Sequence, residues 1–248
     1  MDFDGKTALI TGAGRGIGRT LARDFAARGA SVVINYAASA DGAEKTVHEI
    51  EAASGQAIAV RADIADVAAV NAMFDVARDA FGHVDILVNN AGINIDKPFL
   101  ELSETDWDRV VDVNLKGLFL CSQVVGRDMV KNGSGRIVNI SAVTAIDARL
   151  NAANYCSSKA GLNMLTKCMA LELAPHVAVN AIALGFIDSP IVRKLYTDEQ
   201  LAAVVSETPL GTMGTHKDVS ELVRYLASSG ADFMTGQTVV LDGGRVMR

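Results

Sequence analysis

The chain has 248 residues, of which 50% are apolar and 21% are charged, and its net charge is −6. This composition predicts a folded protein with a large core and excludes a disordered chain. The acidic balance and the lack of a dense basic block argue against a protein that binds the phosphate backbone of a nucleic acid. No apolar run approaches the roughly 18 residues that cross a bilayer, so we expect no membrane span.

The first residues and the cysteines indicate the cellular compartment in which we expect the protein. The chain starts with the acidic segment MDFD and leads directly into a strand, so we expect no signal peptide. Cys121, Cys156 and Cys168 form no C-x-x-C motif, which favours free thiols in a reducing cytoplasm. The four histidines show no ligand spacing, and no metal site is predicted.

Short apolar strands alternate with longer helical patterns along the chain. Strands are predicted at 7–11, 31–35, 56–61, 85–89, 136–141, 177–183 and 238–241. Helices are predicted at 16–28, 43–53, 67–81, 104–132 with a break, 154–173 and 217–229, with a short helix near 198–206. This alternation predicts a single doubly wound Rossmann domain over residues 1–248, with a seven-stranded parallel sheet and helices on both faces.

Three helix starts carry a hydroxyl three residues before an acid or amide, which is the capping pattern. The pairs are Ser103 with Asp106, Thr197 with Gln200, and Thr215 with Asp218. In doubly wound sheets, ligands bind beyond the carboxyl ends of the strands, where the strand order reverses. We therefore expect the chemistry in the loops that follow the strands.

The first of these loops is rich in glycine and lies between a strand and a helix. It contains Gly12, Gly14, Arg15, Gly16, Ile17 and Gly18. Glycines permit a tight turn and let the backbone and the helix N-terminus approach a pyrophosphate. An ordinary strand–helix turn is the alternative, but the surrounding strand–helix alternation favours dinucleotide binding.

Further motifs follow in a specific order. The glycine spacing is G-x-x-x-G-x-G after Thr11, and Asn89-Asn90-Ala91-Gly92 follows the fourth strand. Later motifs are Asn114, Ser141, the pair Tyr155 and Lys159, and Asp242-Gly243-Gly244. Together they make the chain resemble the short-chain dehydrogenase/reductase family over essentially its whole length. The resemblance implies an NAD(P)-dependent oxidoreductase that acts on a ketone or secondary alcohol.

The choice of nicotinamide cofactor depends on charge. An acid about 20 residues after the glycines would bind the ribose 2′-hydroxyl of NAD. The second strand ends instead with Asn35 and Tyr36, and no acid occurs before Asp41. Arg15 can pair with a 2′-phosphate, although it could also be merely solvated. We expect NADP(H), with NAD(H) as the alternative, and place Asn35 in the cofactor site.

The resemblance also implies further cofactor contacts. Asp63 matches the aspartate that contacts adenine, and Ile64 is expected beside the adenine ring. Asn89, Ala91 and Gly92 match the wall at the end of the fourth strand, although a turn that needs small residues would also explain them.

Tyr155 and Lys159 are four residues apart and share one helix face. Free tyrosine titrates near pH ~10, and a neighbouring ammonium favours the phenolate and lowers that pKa. Such a pair alone is more often an exposed amphipathic pair, but the surrounding motifs favour acid–base catalysis.

Ser141 ends the fifth strand, where its hydroxyl can donate to a substrate carbonyl or cap a turn. Asn114 lies in a helical stretch that asparagine does not favour. By the resemblance, Asn114, Ser141, Tyr155 and Lys159 form a catalytic tetrad. Tyr155 exchanges the proton, Lys159 lowers its pKa and holds the nicotinamide ribose, Ser141 orients the carbonyl, and Asn114 anchors a water relay.

The connection 184–211 is long enough to be a lid over the substrate. Phe186 is expected to contact the substrate together with Ser141 and Tyr155. By the resemblance, Ile187 and Ser189 contact the carboxamide and phosphates of the cofactor. The chain departs from the family pattern at Leu184, where proline is usual, and at Ser189, where threonine is usual, which leaves the pocket shape open.

The nearest resemblance is to β-ketoacyl-acyl carrier protein reductases and related ketone reductases, so the expected substrate is a 3-oxoacyl thioester or a small ketone. Their carrier-docking arginines would fall near Gly133 and His176, which makes docking of a carrier protein by those contacts less expected. A sugar or polyol dehydrogenase and a non-catalytic cofactor sensor on the same scaffold are the alternatives. The resemblance further implies a homotetramer that packs residues 115–132 and 154–173 between subunits, with the C-terminal segment at another interface.

Overall fold

Runs of buried apolar residues form the strands, as expected for a parallel sheet that is covered on both faces. The computed structural model describes residues 2–247. Its seven strands are β1 (Thr7–Ile10), β2 (Ser31–Tyr36), β3 (Gln56–Arg61), β4 (Ile86–Asn89), β5 (Gly135–Ala142), β6 (Val177–Leu184) and β7 (Thr238–Leu241). They form one parallel sheet in the order β3-β2-β1-β4-β5-β6-β7. The predicted fold class is confirmed.

The helices lie between the strands along the chain. They are α1 (Gly16–Ala27), α2 (Ala40–Ala52), α3 (Val67–Phe81), α4 (Glu104–Val111), α5 (Gly117–Asn132), α6 (Ala153–Leu173), α7 (Pro190–Leu195), α8 (Asp198–Ser206) and α9 (His216–Ala227). Each predicted cap is present: the hydroxyls of Ser103, Thr197 and Thr215 accept from the backbone N–H three residues on. Helix α7 lies in a stretch where no helix is predicted. Its signal is Ser189 as the N-cap followed by Pro190 at the first helical position.

Successive side chains of a strand point to opposite faces of the sheet, so they pack into two separate cores. Ile10 and Ile34 face a cluster with α1 and α9, whereas Leu9 and Val33 face a cluster with α3 and α5. Helices therefore cover both faces of the sheet.

The strand order reverses at β1, which pairs with β2 on one side and β4 on the other. In doubly wound sheets a ligand crevice is expected at such a reversal, beyond the carboxyl ends of the strands. This is the edge that carries the predicted functional residues.

The predicted break in the 104–132 helix is a π-helical segment, Asp112–Lys116, between α4 and α5. Such single wide turns often occur at functional sites, because they redirect a side chain within a continuous helix. Asn114 lies inside this segment and is 1% exposed.

Within residues 2–247, no helix is both long and apolar enough to cross a membrane. The same part of the chain holds no group of three or more histidine, cysteine or acidic residues that could bind a metal ion. Cys121, Cys156 and Cys168 are free thiols.

Candidate active site

The backbone of the glycine loop after β1 packs directly against the backbone of the loop after β4. Gly12 has φ +65°, and a Cβ added there would lie 2.9 Å from the Cα of Ala91. At Gly18 a Cβ would lie 2.6 Å from Nδ2 of Asn90, and at Gly14 it would lie 2.8 Å from the carbonyl oxygen of Ser39. These positions accept only glycine, because any side chain would force the loops apart.

Hydrogen bonds lock the same two loops together. The Thr11 hydroxyl oxygen accepts from the backbone N–H groups of Asn90 and Ala91, both at 3.0 Å. Nδ2 of Asn90 donates to the carbonyl oxygens of Thr11 at 2.9 Å and Gly12 at 3.2 Å. The sequence alone did not assign a role to the side chain of Thr11 or Asn90, although both residues lie within the motifs that carry the family resemblance.

Asn35 supports the glycine loop from below, which corrects its expected place as a cofactor contact. Its side chain is 2% exposed. Oδ1 accepts from the N–H of Gly12 at 3.2 Å, and Nδ2 donates to the carbonyl oxygen of Ala62 at 3.0 Å. The amide is thus used to hold the loop against the end of β3.

Arg15 stands at the start of α1, is exposed, and makes no ion pair with residues 2–247. Ile17 is half-buried against the core. Asp63 is exposed and accepts from the N–H of Ala65 at 3.0 Å, while Asp66 caps α3. The exposed side chains at the expected cofactor site thus include the cation of Arg15 and the anion of Asp63.

Ile64, which is expected beside an adenine ring, has its side chain in the core. Its side chain is 5% exposed and packs in the core, where a Cβ on Gly117 would lie 2.7 Å from its Cγ1. The absence of a Cβ at the start of α5 makes room for this isoleucine.

Asn89 and Gly92, at the end of β4, have different surroundings. Nδ2 of Asn89 donates to Oγ of Ser122 at 3.0 Å and Oδ1 of Asn139 at 2.9 Å, deep in the fold. A Cβ on Gly92 would lie 3.3 Å from Oδ1 of Asn114 and 3.7 Å from Nζ of Lys159. Gly92 therefore adjoins the predicted catalytic residues, whereas the Asn89 side chain braces the strands.

Lys159 joins α6 to the end of β5. Its ammonium donates to the carbonyl oxygen of Ile140 at 2.7 Å and lies 5.7 Å from the centre of the Tyr155 ring. The next residue, Ser141, is 2% exposed, and its hydroxyl has no hydrogen-bond partner within residues 2–247. A buried hydroxyl without a partner is rare in a folded protein and requires an explanation.

Asn114 fastens the loop after β4 to α6. Its Oδ1 accepts from the N–H of Ile93 at 2.8 Å, and Nδ2 donates to the Ile93 carbonyl at 2.9 Å and to Oγ of Ser158 at 3.2 Å. The Ser158 hydroxyl donates in turn to the carbonyl oxygen of Tyr155 at 2.8 Å. Both amide hydrogens are used, so the side chain holds the wall of the site, and Ser158 is a residue that sequence reasoning missed.

Burial dominates the electrostatics of the tyrosine–lysine pair. Removal from water raises the pKa of Tyr155 to about 12 and lowers the pKa of Lys159 to about 8. The charge that opposes this rise at Tyr155 is that of Arg149. Burial is the largest influence on the tyrosine pKa and raises it, whereas the tyrosine–lysine pair considered alone is expected to lower it.

The start of the 184–211 connection lies along the same edge. Phe186 is half-buried, stands edge-on to Tyr196 with ring centres 5.5 Å apart, and has the Arg245 guanidinium 5.4 Å from its ring centre. Ile187 is buried, and its own N–H and C=O make no hydrogen bond to the described residues. Ser189 caps α7 by accepting from the N–H of Val192 at 3.2 Å.

The structure thus assembles two adjoining regions at one edge of the sheet. A glycine-rich loop at the order reversal leads into the N-terminus of α1, which is the arrangement that suits the pyrophosphate of a dinucleotide. Beside it, a free buried hydroxyl, a phenol and an ammonium can bind a carbonyl and exchange a proton.

Comparisons with known proteins agree with this geometry. The family model described as short chain dehydrogenase matches residues 6–200. The chain is 42% identical over 249 residues to a 3beta-hydroxysteroid dehydrogenase 1 from Eggerthella lenta, covering 99% of this chain and 95% of that protein. It is 42% identical over 243 residues to the 3-oxoacyl-[acyl-carrier-protein] reductase FabG of Staphylococcus aureus, covering 98% of each.

A similar solved structure is a gluconate 5-dehydrogenase from Burkholderia cenocepacia in complex with NADP and tartrate. It superposes with a TM-score of 0.92 at 36% identity, covering 98% of this chain and 95% of that chain. The family match and the full-length relatives establish that the chain is an oxidoreductase of the short-chain dehydrogenase/reductase family.

Proposed function

We propose that the protein reduces a ketone with NADPH, and that the ketone is a 3-oxoacyl thioester or a small apolar ketone. The observation that carries this proposal is the buried, unpartnered hydroxyl of Ser141 beside the residue whose carbonyl binds Lys159. A donor held ready in this way suits an oxygen atom that gains negative charge during reaction.

The residues present fit a nicotinamide dinucleotide. Gly12, Gly14 and Gly18 let the loop pack closely against its neighbours, Gly16 has open space beside it, and the loop opens α1, whose N-terminus favours a pyrophosphate. The N–H and C=O of Ile187, which bind none of the described residues, suit a carboxamide, and Asp63 is exposed for an adenosine contact. When bound, the cofactor supplies the hydride.

The chain's own residues handle the substrate oxygen. Ser141 donates a hydrogen bond to the carbonyl and orients it, and Tyr155 gives its phenolic proton to the oxygen as it becomes an alkoxide. Lys159 remains next to Tyr155 and to the expected ribose position, while Asn114 keeps the wall of the site in place. In the reverse direction, Tyr155 takes the proton from an alcohol.

The preference for NADP(H) rests on Arg15. This cation is exposed at the start of α1 and forms no ion pair with the described residues, and Asn35 takes the place of an acid at the end of β2. A 2′-phosphate would gain a charge-assisted pair with Arg15. The NADP complex of the Burkholderia relative supports this choice. Arg15→Ala is expected to weaken NADPH binding far more than NADH binding, and equal losses would contradict the assignment.

Two observations support an apolar ketone as the substrate: the aromatic residues of the lid, residues 184–211, and the names of the relatives. Phe186 and Tyr196 offer aromatic surface near the site. Relatives act on a 3-oxoacyl group and on a hydroxysteroid, and both substrates are largely apolar. A sugar or polyol dehydrogenase is the second candidate, because the superposed Burkholderia structure is a gluconate 5-dehydrogenase.

One panel of assays tests these alternatives. Purified protein is given NADPH or NADH with an acetoacetyl thioester, small ketones and a 3-oxosteroid, and NADP⁺ or NAD⁺ with gluconate and other polyols. Turnover of the apolar ketones with NADPH is the expected result. Tyr155→Phe should abolish turnover while it leaves cofactor binding intact. Exclusive polyol oxidation would favour the second candidate, and cofactor binding without any turnover would favour a sensor.

The assembly and location are part of the same proposal. A surface hollow on α5 and α6 is lined by Leu115, Phe119, Gly161 and Leu165 with Val111 and Lys116. Exposed Met164 and Leu171 continue this apolar helix face. A homotetramer that buries this face, in the reducing cytoplasm that the free thiols suit, is the proposed state. Elution at monomer size in gel filtration would contradict the assembly.

A further inference from the structure

We propose that Arg245 is a positioning residue for the substrate, because it holds the ring of Phe186 in one orientation toward an apolar ketone. Arg245 acts through this ring and touches neither the substrate nor the cofactor. It follows β7, near the C-terminus, and lies outside the lid, residues 184–211. The inference rests on the proposed function, in which Phe186 contacts the ketone.

The guanidinium of Arg245 contacts two separate parts of the lid. Its central carbon lies 5.4 Å from the centre of the Phe186 ring, a distance at which a cation is attracted to the face of an aromatic ring. The same group donates to the carbonyl oxygen of Val204 in α8 at 3.1 Å and pairs with Glu207 at the end of that helix. A planar guanidinium can stack and donate at the same time, so it joins the start of the lid to α8.

The carboxylate of Asp242 folds the C-terminal segment into a turn that carries Arg245. Its Oδ1 accepts from the N–H of Gly244 at 2.8 Å, and its Oδ2 accepts from the N–H of Val246 at 2.6 Å. Aspartate commonly stabilises turns by binding backbone N–H groups a few residues ahead. These two bonds lie on either side of Arg245 along the chain, so the backbone at the base of its side chain is held on both sides.

Both ends of the lid pack against this turn. At the first end, a Cβ on Gly185 would lie 2.5 Å from the Cβ of Asp242, so only glycine lets the two segments approach this closely. At the other end, the N–H of Leu210 donates to the carbonyl oxygen of Gly243 at 3.1 Å. The place of Arg245 relative to the lid is therefore set by backbone contacts and not by its flexible stem alone.

Two further contacts restrict Phe186. The Tyr196 ring stands edge-on to it, with ring centres 5.5 Å apart, and the carbonyl oxygen of Phe186 accepts from the N–H of Gly214 at 3.0 Å. The Phe186 side chain is only half-buried, so part of the ring surface remains open to a ligand. A ring that is already held in place loses little freedom when a ligand packs against it, which favours binding. Loss of Arg245 should consequently weaken ketone binding and leave the chemical step intact.

The test separates KM from kcat. In Arg245→Met, the KM of the ketone that the assay panel identifies should rise about 3- to 10-fold. Its kcat and the dissociation constant of NADPH should stay within about twofold of the wild type. Arg245→Lys keeps the charge without the planar fork and should give a smaller rise in KM. An unchanged KM in Arg245→Met, or a fall in kcat without a rise in KM, would overturn the proposal.

A double substitution shows whether Arg245 acts through the ring. Phe186→Leu should itself raise the ketone KM, and adding Arg245→Met to it should raise KM little further, because the group that Arg245 positions is already gone. Two rises that multiply in the double variant would mean that Arg245 acts by another route, and they would contradict the proposal.

Arg224→Met is the matched control. The side chains of Arg224 and Arg245 are 28% and 26% exposed, and each pairs with a glutamate, Glu221 for Arg224. Arg224 lies in α9 and pairs outside the lid, so its loss should leave the ketone KM at the wild-type value. A rise in KM equal to that of Arg245→Met would show a general effect of removing a cation and would reject the positioning role.

A measurement on the ring itself separates this proposal from the proposed function. The protein is labelled with 4-fluorophenylalanine, and the ¹⁹F signal of Phe186 is assigned as the one that Phe186→Leu removes. Arg245→Met should shift this signal and Arg224→Met should not, even in a protein that turns over no ketone. A shifted signal without turnover keeps the hold of Arg245 on the ring and rejects the function. Turnover with an unshifted signal keeps the function and rejects the positioning role.

Discussion

The ammonium of Lys159 lies 2.7 Å from the carbonyl oxygen of Ile140, so α6 is tied to β5 by a group whose charge is costly to bury. Ile140 directly precedes Ser141, and this bond fixes the strand end that presents the hydroxyl for which we propose a catalytic role.

The burial of Lys159 predicts how stability depends on pH. Its folded pKa of about 8 lies below the usual 10.5, so between these values the unfolded chain binds more protons than the folded one. The free energy of unfolding should therefore rise from about pH 8 and continue to rise until tyrosine ionisation in the unfolded chain opposes it near pH ~10. Chemical denaturation across this range measures it. In Lys159→Met this rise should be lost, and a rise of equal size in that variant would contradict the assignment.

Ser141 and Ser158 should respond oppositely to truncation. The Ser141 hydroxyl has no partner in the described part of the chain, so Ser141→Ala should leave the unfolding free energy unchanged or slightly higher while kcat falls about 10²–10³-fold. Ser158→Ala removes a hydroxyl that accepts from Asn114 and donates to the Tyr155 carbonyl, and should cost about 1–3 kcal/mol of stability. Denaturation and steady-state kinetics on both variants give the comparison. A large loss of stability in Ser141→Ala would mean that its hydroxyl is a structural group.

Gly12→Ala should damage the cofactor crevice. The new Cβ would lie 2.9 Å from the Cα of Ala91, and it would also occupy a left-handed backbone conformation. Gly133 has a similar φ of +75° but open space around it, at the C-terminus of α5. Gly133→Ala should therefore show only the backbone cost of about 1 kcal/mol, with unchanged cofactor affinity. Isothermal titration with NADP⁺ checks this, and equal affinities for the two variants would refute a role for the contact.

Asn90→Ala should loosen the crevice from the other side. It removes the donor that binds the carbonyl oxygens of Thr11 and Gly12, and should cost about 1–3 kcal/mol together with weaker NADP(H) binding. Asn71 makes a similar bond to the Val67 carbonyl, but on the exposed face of α3. Asn71→Ala should stay within about 0.5 kcal/mol of the wild type. Similar effects of the two substitutions would show that the loop contact carries no special weight.

The fold could be predicted almost completely from sequence, because continuous apolar strands and capped helices report their structure locally. The six long helices and all seven strands are found within a few residues of their predicted bounds. Helix α7 was missed, since six residues carry too little periodicity and only the Ser189–Pro190 cap marks it.

The roles of individual side chains were harder to predict from the sequence. Asn35 and Ile64 occupy the predicted positions along the chain, yet one supports the glycine loop and the other packs against Gly117. Thr11, Asn90 and Ser158 act through partners that are 44 to 80 residues away in sequence. Spacing alone does not reveal such partners, because they meet only when the strands are ordered in the sheet.

The sequence by itself determined the Rossmann architecture, the glycine crevice and the tyrosine–lysine pair, since each of these is written in residues close together along the chain. Only the tertiary structure decided the electrostatics: it buried Lys159 against Ile140, left the Ser141 hydroxyl without a partner among residues 2–247, and paired Asp96 with Arg149. The physical reason is that desolvation and charge separation depend on distances through space between distant segments, which no local pattern specifies.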